Sequence, residues 1–350
     1  MHADRWIGLG LLAALIALVG VGLWKTSGRQ QQTFVAVVRE ARAVMGTDCR
    51  LAAVVSFDQR GKAQQALADA EQALRNVEAR MSTWLSDSEV GRLNRAEADQ
   101  PVPLSPQSVA VLRAAQEAWV RTDGAFDITC RPVVELWRRA GRHNWLPQEA
   151  DLAKAQAKSN WQLIHLSDAS AVKDARSARV DLGGIAKGYG VDRAAEALEA
   201  AGLSGGLIDV GGDLFCFGDP PAGGQWPVQV KKPWGKGSLM VLNVPGGSAV
   251  CTSGGYARYI EVDGRRYSHI VDPRTGRPAD AALSVTVVAR SAMTADIWAT
   301  ALSVLGPEGF ERLPQGVEAL VLLGTPDDYH VHTTGGFREY LTESLPEPGG

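Results

Sequence analysis

The chain contains few cysteines, and their arrangement is not typical of a zinc site. Four occur in 350 residues, with no CxxC pair and no histidine cluster nearby: Cys49, Cys130, Cys216 and Cys251. Structural zinc sites take their thiolate and imidazole ligands from closely spaced pairs, so we expect none here. Buried free thiols are the default interpretation of such scattered cysteines, and the sequence leaves disulfides open.

The sequence also lacks a strong charge of either sign. The formal net charge is −3 and 21% of the residues are charged, so nothing indicates the basic face that nucleic-acid binding needs, and we expect no nucleic-acid partner. No GxGxxG motif follows the first predicted strand, which argues against a nicotinamide dehydrogenase. With 45% hydrophobic residues, the composition is that of a globular protein with a large core.

A long apolar run near the N-terminus predicts a membrane anchor. Residues 6–24 carry no charge and have a tryptophan at each end, which suffices to cross a bilayer as one helix. We predict an uncleaved transmembrane helix within residues 1–28, a linker and first strand at 29–42 and a single domain at 43–350. A cleaved signal peptide is the alternative. One arginine precedes the run and four lysines and arginines follow it by residue 42, a bias that alone favours a cytoplasmic domain.

Helical patterns come early in the chain and strand patterns come late. Amphipathic spacing predicts helices at 61–80, 105–122 and 132–140. Strands at 34–38 and 49–57 lie on either side of a turn at Met45-Gly46-Thr47, and Asp263-Gly264 predicts a second hairpin. This segregation predicts an α+β fold with mostly antiparallel strands.

Residues 181–188, which read DLGGIAKG, form the most informative motif. They stand where a strand predicted at 178–182 gives way to a helix predicted at 185–200. Two adjacent glycines allow a sharp turn, while the helix N-terminus and Lys187 supply positive charge. The motif predicts a phosphate site with Asp181 beside it as an acceptor. Close packing without a ligand is the alternative.

Asp296 and Thr300 suggest a cation site. They are four residues apart on a helix predicted at 291–305, so their side chains share a face. Carboxylate and hydroxyl oxygens suit a hard cation such as Mg²⁺. The alternative is an exposed aspartate and a threonine that bonds back to its own helix.

Three further features carry weaker signals. His269 ends the second strand of the predicted hairpin, where it is a candidate base or a structural donor. Residues 123–127 form a tight loop after a helix. Trp84 is an aromatic side chain on which a flat ring could stack.

The order and spacing of these motifs closely resemble the ApbE family, the FAD:protein FMN transferases. The resemblance runs from about residue 43 to 305, and its motifs are Met45-Gly46-Thr47, Met81-Ser82-Thr83-Trp84, Ser88-Glu89, Leu93-Asn94, Gly124-Ala125-Phe126-Asp127, Asp181 to Gly188, Gly211-Gly212-Asp213, Thr252-Ser253-Gly254, His269 to Gly276, and Ala295-Asp296 with Thr300-Ala301-Leu302.

The resemblance implies a fold and a reaction. The fold would be a single ApbE-like, T-fold-like catalytic domain. Family members use Mg²⁺ to split FAD, attach its FMN half by a phosphoester to a threonine (or serine) hydroxyl of a target protein, and release AMP. Targets are subunits of membrane redox complexes that carry a Thr/Ser acceptor motif. Many members are anchored on the periplasmic side of the bacterial inner membrane. The lipid-attachment cysteine is absent here, so a helical anchor would replace it.

The resemblance also implies roles for particular residues. Gly184, through its carbonyl, would hold Mg²⁺ together with Asp296 and Thr300. The residues expected to bind FAD are Met45, Trp84, Ala125, Phe126, Asp127, Asp181, Lys187 and Ile270, with the rings of Trp84 and Phe126 covering the flat ends of the nucleotide.

The expected catalytic residues are Lys187, His269 and Asp272. Lys187 would offset phosphoryl charge, His269 is our candidate base, and Asp272 would orient it or replace it. Two alternatives stay open. The first is a Mg²⁺-dependent FAD pyrophosphatase that gives FMN and AMP, and the second is a membrane-tethered flavin-binding protein without turnover.

Overall fold

The computed structural model describes residues 34–220, 223–255, 259–279 and 282–346. Seven α-helices lie in these ranges: α1 (Arg60–Met81), α2 (Glu89–Arg95), α3 (Pro106–Arg121), α4 (Arg131–His143), α5 (Glu149–Gln156), α6 (Ala186–Ala200) and α7 (Ala292–Leu305). None of them is long and apolar enough to cross a membrane. The anchor predicted for residues 1–28 lies outside the described residues.

The same ranges contain seventeen strands. They are β1 (Phe34–Val44), β2 (Thr47–Ser56), β3 (Val102–Pro103), β4 (Ile164–Leu166), β5 (Ser170–Lys173), β6 (Gly205–Val210), β7 (Asp213–Gly218), β8 (Trp226–Lys231), β9 (Ser238–Val244), β10 (Ser248–Ser253), β11 (Tyr259–Val262), β12 (Arg265–Ser268), β13 (Val271–Asp272), β14 (Arg277–Pro278), β15 (Ser284–Ala289), β16 (Glu318–Thr325) and β17 (Asp328–Thr333).

An eight-stranded sheet in the order β1-β2-β6-β7-β10-β15-β16-β17 forms the centre of the fold. Every neighbouring pair in it is antiparallel. The β1–β2 turn has Met45 at φ 52° and Gly46 at φ 75°, the left-handed conformation that two-residue hairpin turns need. The α+β prediction is therefore confirmed.

Both faces of the sheet are covered, which explains why its central strands are apolar throughout. One face packs against α1, α6 and α7, and the other packs against the β8–β9 hairpin and the 3₁₀ helix Gly336–Tyr340. All six residues of β15 are buried. Strands buried on both faces lose the alternation of polar and apolar residues.

A smaller cluster packs α4 and α5 against the β11–β12 hairpin. Trp137 of α4 stacks near Tyr267, with ring centroids 5.2 Å apart, and its Nε1 donates to the carbonyl of Gly276 at 2.9 Å. These contacts fix α4 beside the turn that follows His269.

The strand predicted at 178–182 is wrong. This segment is extended, but it pairs with side chains instead of a strand. The amide of Asn94 accepts from Val180 N at 2.7 Å and donates to Val180 O at 2.9 Å. The fully buried Lys173 donates to the carbonyl of Ala178 at 2.9 Å. Buried backbone groups need partners, and here two side chains supply them.

Candidate active site

The turn at Gly183-Gly184, which we call the glycine turn, is held in place by two contacts of Asp181. Asp181 Oδ1 accepts from Gly183 N at 2.9 Å, which closes the turn, and Asp181 N donates to Ile128 O at 2.7 Å. The second contact joins the turn to the loop that carries Asp127. Helix α6 then begins at Ala186, whose N–H already donates to Leu182 O at 2.9 Å. The start of the helix therefore offers the positive end of its dipole directly after the glycines.

Two glycines let α7 approach the turn closely. A Cβ built on Gly184 would lie 2.6 Å from Thr300 Oγ1, and one built on Gly188 would lie 2.2 Å from the carbonyl oxygen of Ala292. Gly188 N donates to Asp296 Oδ2 at 3.1 Å. The predicted metal ligands on the turn and on α7 are therefore neighbours.

The described residues contradict both alternatives for this pair, an exposed Asp296 and a Thr300 hydroxyl that bonds back to its own helix. Asp296 is 2% exposed. In the part of the chain that the structure describes, the Thr300 hydroxyl donates no hydrogen bond to its helix, whereas Ser303 donates to Ala299 O at 2.8 Å. The Thr300 oxygen is therefore available to a ligand.

Lys187, Asp213 and Asp296 form what we call the ion cluster. Lys187 Nζ donates to Asp213 Oδ2, and it lies 3.7 Å from Asp296 Oδ1. Asp213 is 2% exposed. Two buried carboxyl groups thus face one ammonium group at the end of the glycine turn.

Burial and mutual charge shift the pKa values in the ion cluster. Burial raises the pKa of Asp296 and the charge of Asp213 raises it further, while Lys187 and the bond from Gly188 oppose this rise. Burial alone would lower the pKa of Lys187, but the charges of Asp213 and Asp296 outweigh it and raise that pKa above the usual range. Lys187 is therefore a permanent cation.

Asp192 of α6 binds the first turn of α7. Its carboxylate accepts from Ala292 N at 2.6 Å, from Met293 N at 3.0 Å and from the Ser291 hydroxyl at 2.7 Å. An anion that accepts from N-terminal amides caps the helix and also interacts favourably with the positive end of the helix dipole. It fixes α7, and with it Asp296 and Thr300, against the glycine turn.

The loop that carries Ala125, Phe126 and Asp127 is largely occupied by its own contacts. Ala125 N donates to Thr122 O at 3.2 Å, and Phe126 N donates to Thr122 Oγ1 at 3.0 Å. The Phe126 side chain is 3% exposed and belongs to the main core. Its ring therefore does not cover a nucleotide, which corrects our expectation and leaves carbonyl groups as the part that this loop can offer.

Asp127 is a buried carboxyl group that makes no ion pair within the described residues. It is 8% exposed, and its Oδ1 accepts from both Thr129 N and Thr129 Oγ1 at 2.7 Å. Burial raises its pKa to about 6, although the two bonds from Thr129 oppose that shift.

Met45 and Trp84 differ in their surroundings. Met45 packs against α6, because a Cβ on Gly190 would lie 2.7 Å from Met45 Sδ. Trp84 is 76% exposed, and the guanidinium carbon of Arg138 lies 5.4 Å from its ring centroid. Arg138 Nη1 is 3.9 Å from Asp181 Oδ2, so Arg138 connects Trp84 to the glycine turn.

The turn after β12 carries His269, Ile270 and Asp272. His269 is half-buried. Ile270 N donates to Ser268 Oγ at 3.1 Å, and Ile270 O accepts from Ala279 N at 2.9 Å. Asp272 accepts from Arg274 through two guanidinium bonds of 2.9 Å each. Its carboxylate is therefore already paired within its own turn.

The structure brings most of the predicted residues around one region. The glycine turn, α7 and Met45 meet directly, and the loop at Asp127 joins them through Ile128. The turn after His269 joins the loop as well, because a Cβ on Gly124 would lie 3.8 Å from Arg274 Cγ.

Sequence reasoning missed three residues that position this region: Arg138, Asp192 and Asp213. Asp213 belongs to a motif that we noted, but nothing local shows that its partner is a lysine 26 positions away. All four cysteines are free thiols, and Cys251 is buried beside the ion cluster. No group of three or more His, Cys, Asp or Glu side chains that could hold a metal occurs in the described ranges. A metal here would therefore need the hydroxyl and carbonyl ligands.

Comparisons with known proteins show which family the chain is similar to. The FAD:protein FMN transferase of Vibrio cholerae is 33% identical over 279 residues, which cover 78% of this chain and 84% of that protein. That of Escherichia coli K12 is 31% identical over 348 residues, covering 95% and 97%. The apo form of Pseudomonas stutzeri flavinyl transferase ApbE has a TM-score of 0.77 at 28% identity and covers 91% of this chain and 100% of its own. The ApbE family model itself matches residues 45–321, and so the chain belongs to the ApbE family.

Proposed function

We propose that the protein transfers the FMN part of FAD to a threonine or serine hydroxyl of a target protein, in a Mg²⁺-dependent reaction that releases AMP. The ion cluster beside the glycine turn is the observation that carries this proposal. It places a permanent cation and two buried carboxyl groups beside the start of α6, where the positive end of the helix dipole would favour a pyrophosphate. The relatives named above support the same reaction.

The residues around the ion cluster fit a hard divalent cation. Asp296, the Thr300 hydroxyl and the Gly184 carbonyl would hold Mg²⁺, which prefers oxygen ligands. A bound cation would favour the ionised form of Asp296, whose pKa burial and the charge of Asp213 raise. When bound, Mg²⁺ supplies positive charge to the phosphoryl oxygens.

The chain's own residues would bind and orient the pyrophosphate. Lys187 offsets the negative charge that develops on the phosphoryl oxygens, and Asp213 holds the ammonium in place. The glycine turn and the positive end of α6 would fix the phosphate for in-line attack by the incoming hydroxyl.

The acceptor hydroxyl must lose a proton as it forms the new phosphoester, while AMP leaves. His269 is our candidate for the group that takes this proton. Asp272 is paired with Arg274, so it would serve His269 only by sharing its carboxylate. Near-normal transfer by His269→Ala across the pH range would remove His269 from this role.

Asp296→Asn tests the reaction most directly. Purified protein is incubated with FAD, Mg²⁺ and a threonine-bearing acceptor, and both protein-bound flavin on a denaturing gel and released AMP are measured. We expect both to fall at least about 100-fold, because an important charge contact in the transition state is lost.

Thr300→Ser and Thr300→Val provide the matched controls. Serine keeps the hydroxyl and should retain most activity, whereas valine keeps the shape and should lose it. Full transfer by Asp296→Asn would contradict the proposed metal site and the reaction built on it.

The same assay separates the two alternative functions. A pyrophosphatase would release FMN and AMP at equal rates with or without an acceptor. A flavin-binding protein without turnover would release no AMP at all, and it would have no need for the buried Asp296.

We also propose that the acceptor is a subunit of a membrane redox complex with a Thr/Ser motif, and that the domain works on the periplasmic side of the bacterial inner membrane. The family resemblance and the apolar run at residues 6–24 support this location, although the lysine and arginine bias opposes it. Protease treatment of spheroplasts tests it, since a cytoplasmic domain would survive intact.

A further inference from the structure

Arg138 is a cation with unused hydrogen-bond donors beside an exposed aromatic ring. Its guanidinium lies over Trp84 at 5.4 Å and 3.9 Å from Asp181 Oδ2. The second distance is too long for a hydrogen bond. Within the described residues Arg138 donates no hydrogen bond, although an arginine has five N–H donors. These donors are available to a ligand.

The backbone at Arg138 is held in place by the neighbouring residue Trp137. Trp137 is buried, stacks near Tyr267 and donates to the carbonyl of Gly276 at 2.9 Å. The helix backbone therefore cannot shift easily, and the Arg138 side chain extends from a rigid support towards Trp84 and the glycine turn.

The chemistry around Arg138 selects a flat ring with carbonyl groups at its edge. The indole of Trp84 offers an exposed apolar face, which a second ring system would cover. A guanidinium next to that face can donate two parallel N–H bonds, one to a carbonyl oxygen and one to the unprotonated ring nitrogen beside it. The flavin ring has such oxygens on its pyrimidine-dione edge, whereas adenine presents an amino group that itself donates.

We propose that Arg138 is a substrate-binding residue that recognises the flavin ring of FAD. The ring takes the place of the guanidinium on Trp84, and the displaced guanidinium donates to a carbonyl oxygen and the adjacent ring nitrogen at the ring's edge. Asp181 then lies between Arg138 and the glycine turn, at the junction of the flavin and the phosphates. This inference rests on the proposed function, because it takes FAD as the substrate.

Arg138→Gln tests the proposal, with Arg139→Gln as the matched control. Arg139 is the next residue of α4, but its guanidinium lies 6.0 Å from the ring of Trp145 instead. FAD and FMN binding are measured by flavin fluorescence, and ADP binding by calorimetry. We expect Arg138→Gln to weaken FAD and FMN binding about tenfold and leave ADP binding unchanged. Arg139→Gln should bind all three like the wild type.

A second variant, Arg138→Lys, keeps the charge but loses the planar donor pair, and we expect it to recover only part of the lost affinity. Unchanged FAD and FMN binding by Arg138→Gln would overturn the proposal. Equal weakening of ADP and FMN would overturn it too, since Arg138 would then serve the phosphates. A wild type that binds FAD but transfers no FMN contradicts the proposed function alone, and the Arg138 comparison still decides the inference. A wild type that binds no FAD overturns both.

Discussion

The ion cluster buries its charged groups, whereas the pair formed by Arg138 and Trp84 leaves its cation at the surface. In the ion cluster the carboxylates of Asp213 and Asp296 are buried, so they must be paired in the folded protein whether or not a ligand is present. Arg138 and Trp84 lie at the surface, where water satisfies unused donors. The first arrangement is therefore built by folding, and the second is open to exchange with a ligand.

This difference indicates a division of labour. A buried and paired cluster keeps its geometry and supplies electrostatic preorganisation without rearrangement. An exposed ring covered by a displaceable cation supplies binding energy and selectivity. We therefore expect a loss of pairing inside the ion cluster to lower the free energy of unfolding. A change in the exposed pair should instead weaken FAD binding alone.

The largest effect is expected from Lys187→Met. Removal of the cation leaves Asp213 and Asp296 buried without compensation, and breaking a buried ion pair in this way costs about 3–5 kcal/mol. We expect the free energy of unfolding to fall by that order. Urea denaturation in the presence of EDTA measures it, since the chelator prevents a metal from replacing the ammonium.

The double variant Lys187→Met with Asp213→Asn is the control. It removes one of the two facing negative charges, so stability should partly return while FMN transfer stays low. If Lys187→Met alone unfolds at the wild-type urea concentration, the cluster is not the tightly coupled unit that its contacts indicate.

A smaller effect is expected at Asp127, which is buried like the ion cluster but makes no ion pair in the part of the chain that the structure describes. Its folded pKa of about 6 exceeds the unfolded value of 3.8, so the folded state binds the proton more tightly. The contribution of Asp127 to the free energy of unfolding is therefore greatest below the unfolded pKa and is lost as the pH rises through the folded pKa. The shift corresponds to about 3 kcal/mol.

Asp127→Asn cannot ionise and should lose this pH dependence. We expect the stability of the variant relative to the wild type to increase by about 3 kcal/mol between pH 4 and pH 7. Thermal or urea unfolding over that range measures the difference. A constant difference would show that Asp127 ionises normally and that its burial has little electrostatic consequence.

The smallest effect is expected from Trp84→Ala. Stacking of a base on an aromatic side chain contributes about 1–3 kcal/mol, so FAD binding should weaken about tenfold by flavin fluorescence. Because Trp84 is exposed, the urea midpoint should stay unchanged. Trp84→Phe keeps a ring and should bind more tightly than the alanine variant. A large loss of stability would mean that Trp84 supports the fold, and would remove the contrast with the ion cluster.

Local patterns predicted much of the fold because their causes are local. The turn at Met45-Gly46-Thr47 and the helical spacing of Asp296 and Thr300 both follow from neighbouring residues. The strand predicted at 178–182 failed, because Asn94 supplies the backbone partners that a strand would otherwise provide. A strand-like sequence alone does not reveal which groups satisfy its backbone.

The candidate site was predicted less completely, because several of its contacts join distant parts of the chain. Asp213 reaches Lys187, and Asp192 reaches the start of α7. Phe126 was expected at a nucleotide, but its ring packs in the core. In each case tertiary packing decided the role, and the residue type was compatible with either outcome.

The close approach at Gly188 determines a dimension of the site. With the carbonyl of Ala292 only 2.2 Å from where a Cβ would lie, any side chain here would push α7 away from α6. The separation between the proposed phosphate and metal positions thus depends on the absence of a Cβ atom at Gly188. Variation at Gly188 would change the spacing of the reacting centre without replacing any residue that touches the substrate.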